Sequence, residues 1–225
     1  QRQFQAARVL EDRVRFVDVA RQLADAGRGR PGGEQWILNY LNAEFTWGSQ
    51  GKALEASEPF VTDATLALVT RASAALRQAY FAAQGSDRFI LARLWSRADG
   101  LAGQVMKQGS AAPPRMAIDR LQVRSEIERF SGDNAASVAT LREAVGLGRR
   151  DLQAVRARAS SATDFAVLDA YGQLDGSMGM LTYALVRHGR QQEAINIAQA
   201  NLALWRAGQI SDALGARWNY RLANS

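Results

Sequence analysis

Four prolines in 225 residues, at Pro31, Pro59, Pro113 and Pro114, leave long stretches in which nothing forbids a helix. Proline removes a backbone donor and clashes with the preceding turn, so a chain that lacks it can stay helical. The stretches between are filled with Ala, Leu, Arg, Gln and Glu, which lose little side-chain freedom in a helix. Short β-branched runs of period two are missing, and the fold class expected is all-α. With 47% hydrophobic residues the chain can build a substantial core without staples.

Breakers cut this helical material into hairpin-sized pieces. An opening helix is expected from about Gln3 to Ala26, ending at the loop GRGRPGG, Gly27 to Gly33. A second begins near Glu34, puts Trp36, Ile37, Tyr40, Leu41 and Phe45 on helical spacing, and stops at WGSQG. After Pro59 an Ala-rich helix is expected over Thr62 to Gln84, and Asp87 opens the next. The loop QGSAAPP, Gln108 to Pro114, is the clearest break, yet the rhythm continues beyond it, which favours one domain over residues 1–225. Further helices are expected over Arg115 to Phe130 and from Asn134 through Val145, where Gly146 and Gly148 interrupt or end the second. Ser160 and Ser161 are candidate caps for a helix over Asp164 to Arg187, Gly189 turns the chain into Gln191 to Arg206, and Ser211 caps a final helix. That last helix reads as still running at WNYRLANS, and Gln1 is not a methionine, so a natural protein extending past both ends is expected, with Trp218 and Tyr220 packing into the continuation.

Few residues advertise chemistry. There is no cysteine, hence no thiol nucleophile and no Cys-rich zinc site. The single histidine, His188, has no second His to share a metal, and its place at a helix end suits a cation that meets free carbonyls. GSQGK, Gly48 to Lys52, lacks the first glycine and the Ser or Thr of a phosphate-binding loop, and is expected to be an interhelical turn. Glu126 and Glu128 fall on different helix faces, and Asp164, Asp169 and Asp175 form no paired set. The chain is therefore read as non-catalytic, without metal or cofactor.

The formal charge of +6 comes mostly from arginine, since Lys52 and Lys107 are the only lysines. Arg149, Arg150, Arg156 and Arg158 form the densest basic cluster, a candidate anion patch. No aromatic residues are interleaved for base stacking, which argues against nucleic acid as the partner. No apolar run approaches the roughly 20 residues a membrane-spanning helix needs, so no transmembrane segment is expected. A cysteine-free chain suits either compartment, with a periplasmic or secreted setting slightly favoured over the cytoplasm.

Junctions beginning at Gly85, Gly132 and Gly189 can be laid on one another. In the last two a small residue (Ser137, Ala194) is followed by a β-branched one (Val138, Ile195), and an apolar residue (Val145, Leu202) closes the pattern. Before Gly189, Met178, Leu181 and Leu185 fit the preceding helix. These segments resemble divergent tetratricopeptide repeats. The resemblance implies antiparallel hairpins stacked into a right-handed superhelix, and a scaffold that binds a peptide or partner protein on its concave face, as part of a larger protein with an effector domain. It places Tyr183, Val186 and Arg187 on that face. Two other readings stay open: a helical sensor of a small molecule, and a basic module for nucleic acid or polysaccharide.

Overall fold

The computed structural model describes residues 13–30, 32–84, 88–108, 114–160, 164–206 and 212–224. Among them are ten helices and no strand. The start of the opening helix, Asp87, most of the Gln108 to Pro114 loop, Ser161 and Ser211 lie outside the described residues.

Compactness divides the chain into residues 1–123, unit 1, and residues 124–225, unit 2. Unit 1 contains α1 (Arg13–Gly27), α2 (Gly33–Trp47), α3 (Gln50–Thr62), α4 (Leu68–Ala83) and α5 (Arg88–Lys107). Helix α6 (Pro114–Phe130) starts in unit 1 with a proline at its first position, where the missing N–H costs nothing. Consecutive helices from α1 to α5 pack on one another, and α2 also reaches α4. Helix α4 is the centre of this unit. Ala72, Ala74, Ala75, Ala79, Ala82 and Ala83 are all buried there, together with Leu76 and Phe81. Small side chains let neighbouring backbones approach α4 from several sides, and dispersion contacts then accumulate around the whole helix.

Two expectations fail here. The turn expected over Gly48 to Lys52 is only Gly48 and Ser49 long: Ser49 caps a helix by accepting from the Lys52 N–H at 3.2 Å, and Pro59 sits inside that helix. The proline lies in the third turn of α3, where it deletes one ladder bond without ending the helix. The end comes at Asp63, whose carboxylate accepts from the Thr65 N–H at 2.9 Å and from its hydroxyl at 2.6 Å, an Asx turn that draws the chain out of the helix. The Ala-rich helix consequently begins at Leu68.

Unit 2 holds α7 (Asn134–Arg156), α8 (Phe165–Arg187), α9 (Gln191–Arg206) and α10 (Asp212–Ala223). Helix α8 packs against α7 and α9, and α9 against α10. Gly132 (φ 82°) and Gly189 (φ 69°) occupy the left-handed region that side-chain-bearing residues avoid, which is why both turns use glycine. Asp133 caps α7 and Asp164 caps α8, so the cap expected at Ser160 falls to a carboxylate four residues later. Neither Gly146 nor Gly148 interrupts α7. Gly148 is buried, and a Cβ there would stand 3.3 Å from Leu174 Cδ1, so it marks close packing against α8 rather than a break. The core joins Val138, Leu141, Val145 and Leu152 to Tyr171, Leu174, Met178, Leu181 and Leu185, with Ala194, Ala198, Leu202 and Trp218. Of the residues that carry the alignment of the two junctions, Ser137, Val138, Val145, Ala194 and Leu202 are buried and Ile195 is half-buried.

Candidate functional site

Glu58, Gln78 and Arg97 come from three helices and meet in unit 1. Gln78 of α4 is buried, 3% exposed, and its Nε2 donates to the Leu54 carbonyl at 3.1 Å and to Glu58 Oε2 at 3.0 Å. Arg97 of α5 closes a fork on the same carboxylate, Nη1 to Oε1 at 2.8 Å and Nη2 to Oε2 at 2.7 Å, and also donates to Gln78 Oε1. Such planar two-point pairing is the strongest form of arginine–carboxylate contact. The Arg97 hydrogen bonds hold the Glu58 carboxyl well below its ordinary range, at about 2, against the opposing effect of partial burial. Glu58 in turn raises the Arg97 guanidinium. Both side chains keep a third to a half of their surface in water, so the pair contributes shape more than stability. Arg93 stands one turn before Arg97, and with Leu94 completes the lining of a cleft of about 310 Å3.

A second polar group is buried in unit 2. Asp175 of α8, 2% exposed, takes the Arg221 guanidinium at 2.9 and 3.4 Å, and Arg217 approaches to 3.7 Å. The Arg221 guanidinium lies 4.3 Å from the centre of the Trp218 ring. Trp218 is fully buried in the core of unit 2, not left waiting for a continuation, because α10 folds back and is held there by this ion pair, whereas Tyr220 is 72% exposed. Nearby, the Tyr171 hydroxyl donates to Asn201 Oδ1 at 3.2 Å, and burial pushes the phenol up to about 12.

The residues nominated from sequence fall in different places. Tyr183 is 58% exposed and lies under Arg187, whose Nη1 donates to the phenol oxygen at 3.3 Å. Val186 packs against the core of unit 2 and is half-buried. Arg149, Arg150 and Arg156 are exposed on α7, where Arg149 and Arg156, two turns apart, share a stripe that Arg150 leaves by about 100°. Arg158 lies past the end of α7, its Nε donating to the Ala154 carbonyl at 3.1 Å. The structure thus brings Tyr183 and Arg187 together and spreads the four arginines. His188 closes α8, its backbone N–H directed to the carbonyls of Ala184 and Leu185 at 3.2 and 3.1 Å. Among the described residues no three His, Asp or Glu side chains form a group able to hold a metal, and no helix is long and apolar enough to cross a membrane.

Sequence reading missed both polar groups. Glu58, Gln78 and Arg97 lie about twenty residues apart, and only tertiary packing joins them. A signal for the second did exist: Asp175 falls on the buried stripe of α8 between Tyr171 and Met178, and a lone acid on an apolar stripe demands a cationic partner. No protein-family model matches the chain, and no curated protein matches it either.

Proposed function

We propose that this chain is a divergent tetratricopeptide-like array, hairpins stacked in a right-handed superhelix, that binds a peptide or partner protein without catalysing a reaction. The observation that carries this reading is the two-sided character of α8. One arc of the helix is buried through Val167, Tyr171, Leu174, Met178, Leu181 and Leu185, while the other exposes Leu168, Gly172, Tyr183 and Arg187. Large apolar side chains left in water beside a positive charge are the composition of a recognition surface, and aromatic residues with arginine supply most hot spots. Pairing in unit 1 supports the hairpin reading: α4 touches α2 and α3, as the first helix of a hairpin touches both helices of the hairpin before it. The face of the first helices would carry the partner.

Immobilised chain incubated with native lysate is expected to retain protein in preference to nucleic acid, and a Leu168→Glu/Tyr183→Ala variant is expected to release it with unchanged helicity. Recovery of mainly nuclease-sensitive material, or full retention by the double variant, would overturn the reading.

A further inference from the structure

The cleft of unit 1 does not balance its charges. Its lining holds one carboxylate, Glu58, and two guanidinium groups, Arg93 and Arg97. Glu58 is fully engaged, with both oxygens in the Arg97 fork and one of them also bound by Gln78. Arg97 is equally committed, to that carboxylate and to the Gln78 carbonyl. Arg93 is different. Among the described residues no hydrogen bond or ion pair engages it, although it stands close enough to Glu58 to help depress that carboxyl. A charged pair that satisfies itself, beside a second arginine that no described group satisfies, leaves one positive charge unspent at the mouth of a cavity.

Geometry narrows what could use it. A guanidinium offers a planar fork of N–H donors that matches the two oxygens of a carboxylate or phosphate. Leu94, on the same wall and 6% exposed, offers an apolar surface one residue from that fork. The volume, about 310 Å3, stands at the small end of the range of roughly 300–1,000 Å3 for small-molecule sites. Glu58 sets a further limit, since its ionised carboxylate repels a second anionic group placed beside it and favours a ligand whose charge sits in one group, on Arg93.

We infer that this cleft binds a small organic oxyanion, a monocarboxylate or a phosphate monoester, with its charged end on Arg93 and its carbon skeleton over Leu94. Glu58 and Gln78 are positioning residues: they fix Arg97 and so hold α3, α4 and α5 at the separation that keeps the cleft open. Nothing in this inference depends on the partner-binding face of α8, which belongs to unit 2.

The probes are acetate, butyrate and methyl phosphate, titrated into the whole chain while arginine Nε–H resonances and the backbone amides of α5 are followed by NMR. Saturable shifts confined to Arg93 and its neighbours are expected, with butyrate bound more tightly than acetate because only butyrate reaches Leu94. Arg93→Gln is expected to weaken binding at least tenfold, and Arg93→Lys, which keeps the charge and loses the fork, by an intermediate factor. Arg150→Gln on α7 is expected to change nothing. Saturation by butyrate alone assigns a carboxylate ligand, by methyl phosphate alone a phosphate ligand, and by both a general oxyanion site. Shifts that rise linearly with concentration, or an unaltered response in Arg93→Gln whose spectrum shows an intact fold, would overturn the assignment.

Discussion

Helices α4 and α8 sit at the centres of the two units and are built on opposite plans. Helix α4 is buried on most of its circumference, and its buried residues are alanine, serine, threonine and glutamine with two larger apolar ones, Leu76 and Phe81. Helix α8 is buried on one arc, which it fills with valine, tyrosine, leucine and methionine, and open on the other. The first plan gains stability from close approach on many sides, the second from deep burial on one. Labour is divided accordingly: a helix enclosed all round can only support, whereas a helix with a free arc can also present side chains to something else. The cleft of unit 1 obeys the same rule, since it lies where α3 and α5 part beside α4 rather than on α4 itself.

That contrast can be tested by removing or adding volume in each unit. The largest effect is expected from Trp218→Ala, which empties the largest fully buried side chain of unit 2 and should cost about 3–5 kcal/mol. Native-state hydrogen exchange should show the loss in α8 to α10 while α4 keeps its protection. Trp218→Phe should cost much less, because the buried indole N–H has no hydrogen-bond partner and its removal leaves nothing unsatisfied. Next comes Ala79→Leu at the heart of α4, where overpacking should cost about 1–3 kcal/mol in denaturant unfolding. A neutral result would mean that α4 is less tightly enclosed than its alanines require. The smallest effect carries the opposite sign. Gly172 lies on the free arc of α8 with nothing within 4 Å of where its Cβ would stand, so Gly172→Ala should stabilise by about 0.5–1 kcal/mol, read as a raised unfolding midpoint.

Much of the helical layout was legible from local signals. The helix Gln191–Arg206 matches its expected bounds because a left-handed glycine and a polar first turn leave little choice there. Helix α3 escaped notice because Pro59 looks like a terminator in a linear reading, and whether a proline ends a helix depends on the packing of its neighbours Ser57, Phe60 and Val61, all buried. Gly148 misled for a related reason: a glycine placed for contact with Leu174 looks the same in sequence as one placed for a turn. The candidate cleft was not legible, since Glu58 and Arg97 belong to helices whose proximity no periodicity records. Of the exposed face, Tyr183 and Arg187 were nominated and Leu168 was not. Val186 lies at the edge of the same face and turns inward against the core.

The seating of α10 also has a register. Arg217 and Arg221 lie one turn apart and both reach toward Asp175, so the charges alone would tolerate a slide of about 5.4 Å along the helix axis. Glycine removes that freedom. A Cβ at position 215 would come within 2.4 Å of the Trp205 ring, and one at position 179 within 2.4 Å of the Arg221 guanidinium, so a displaced α10 would drive side chains into both places. The ion pair sets the direction in which α10 is drawn home, and two missing methyl groups decide the notch in which it stops.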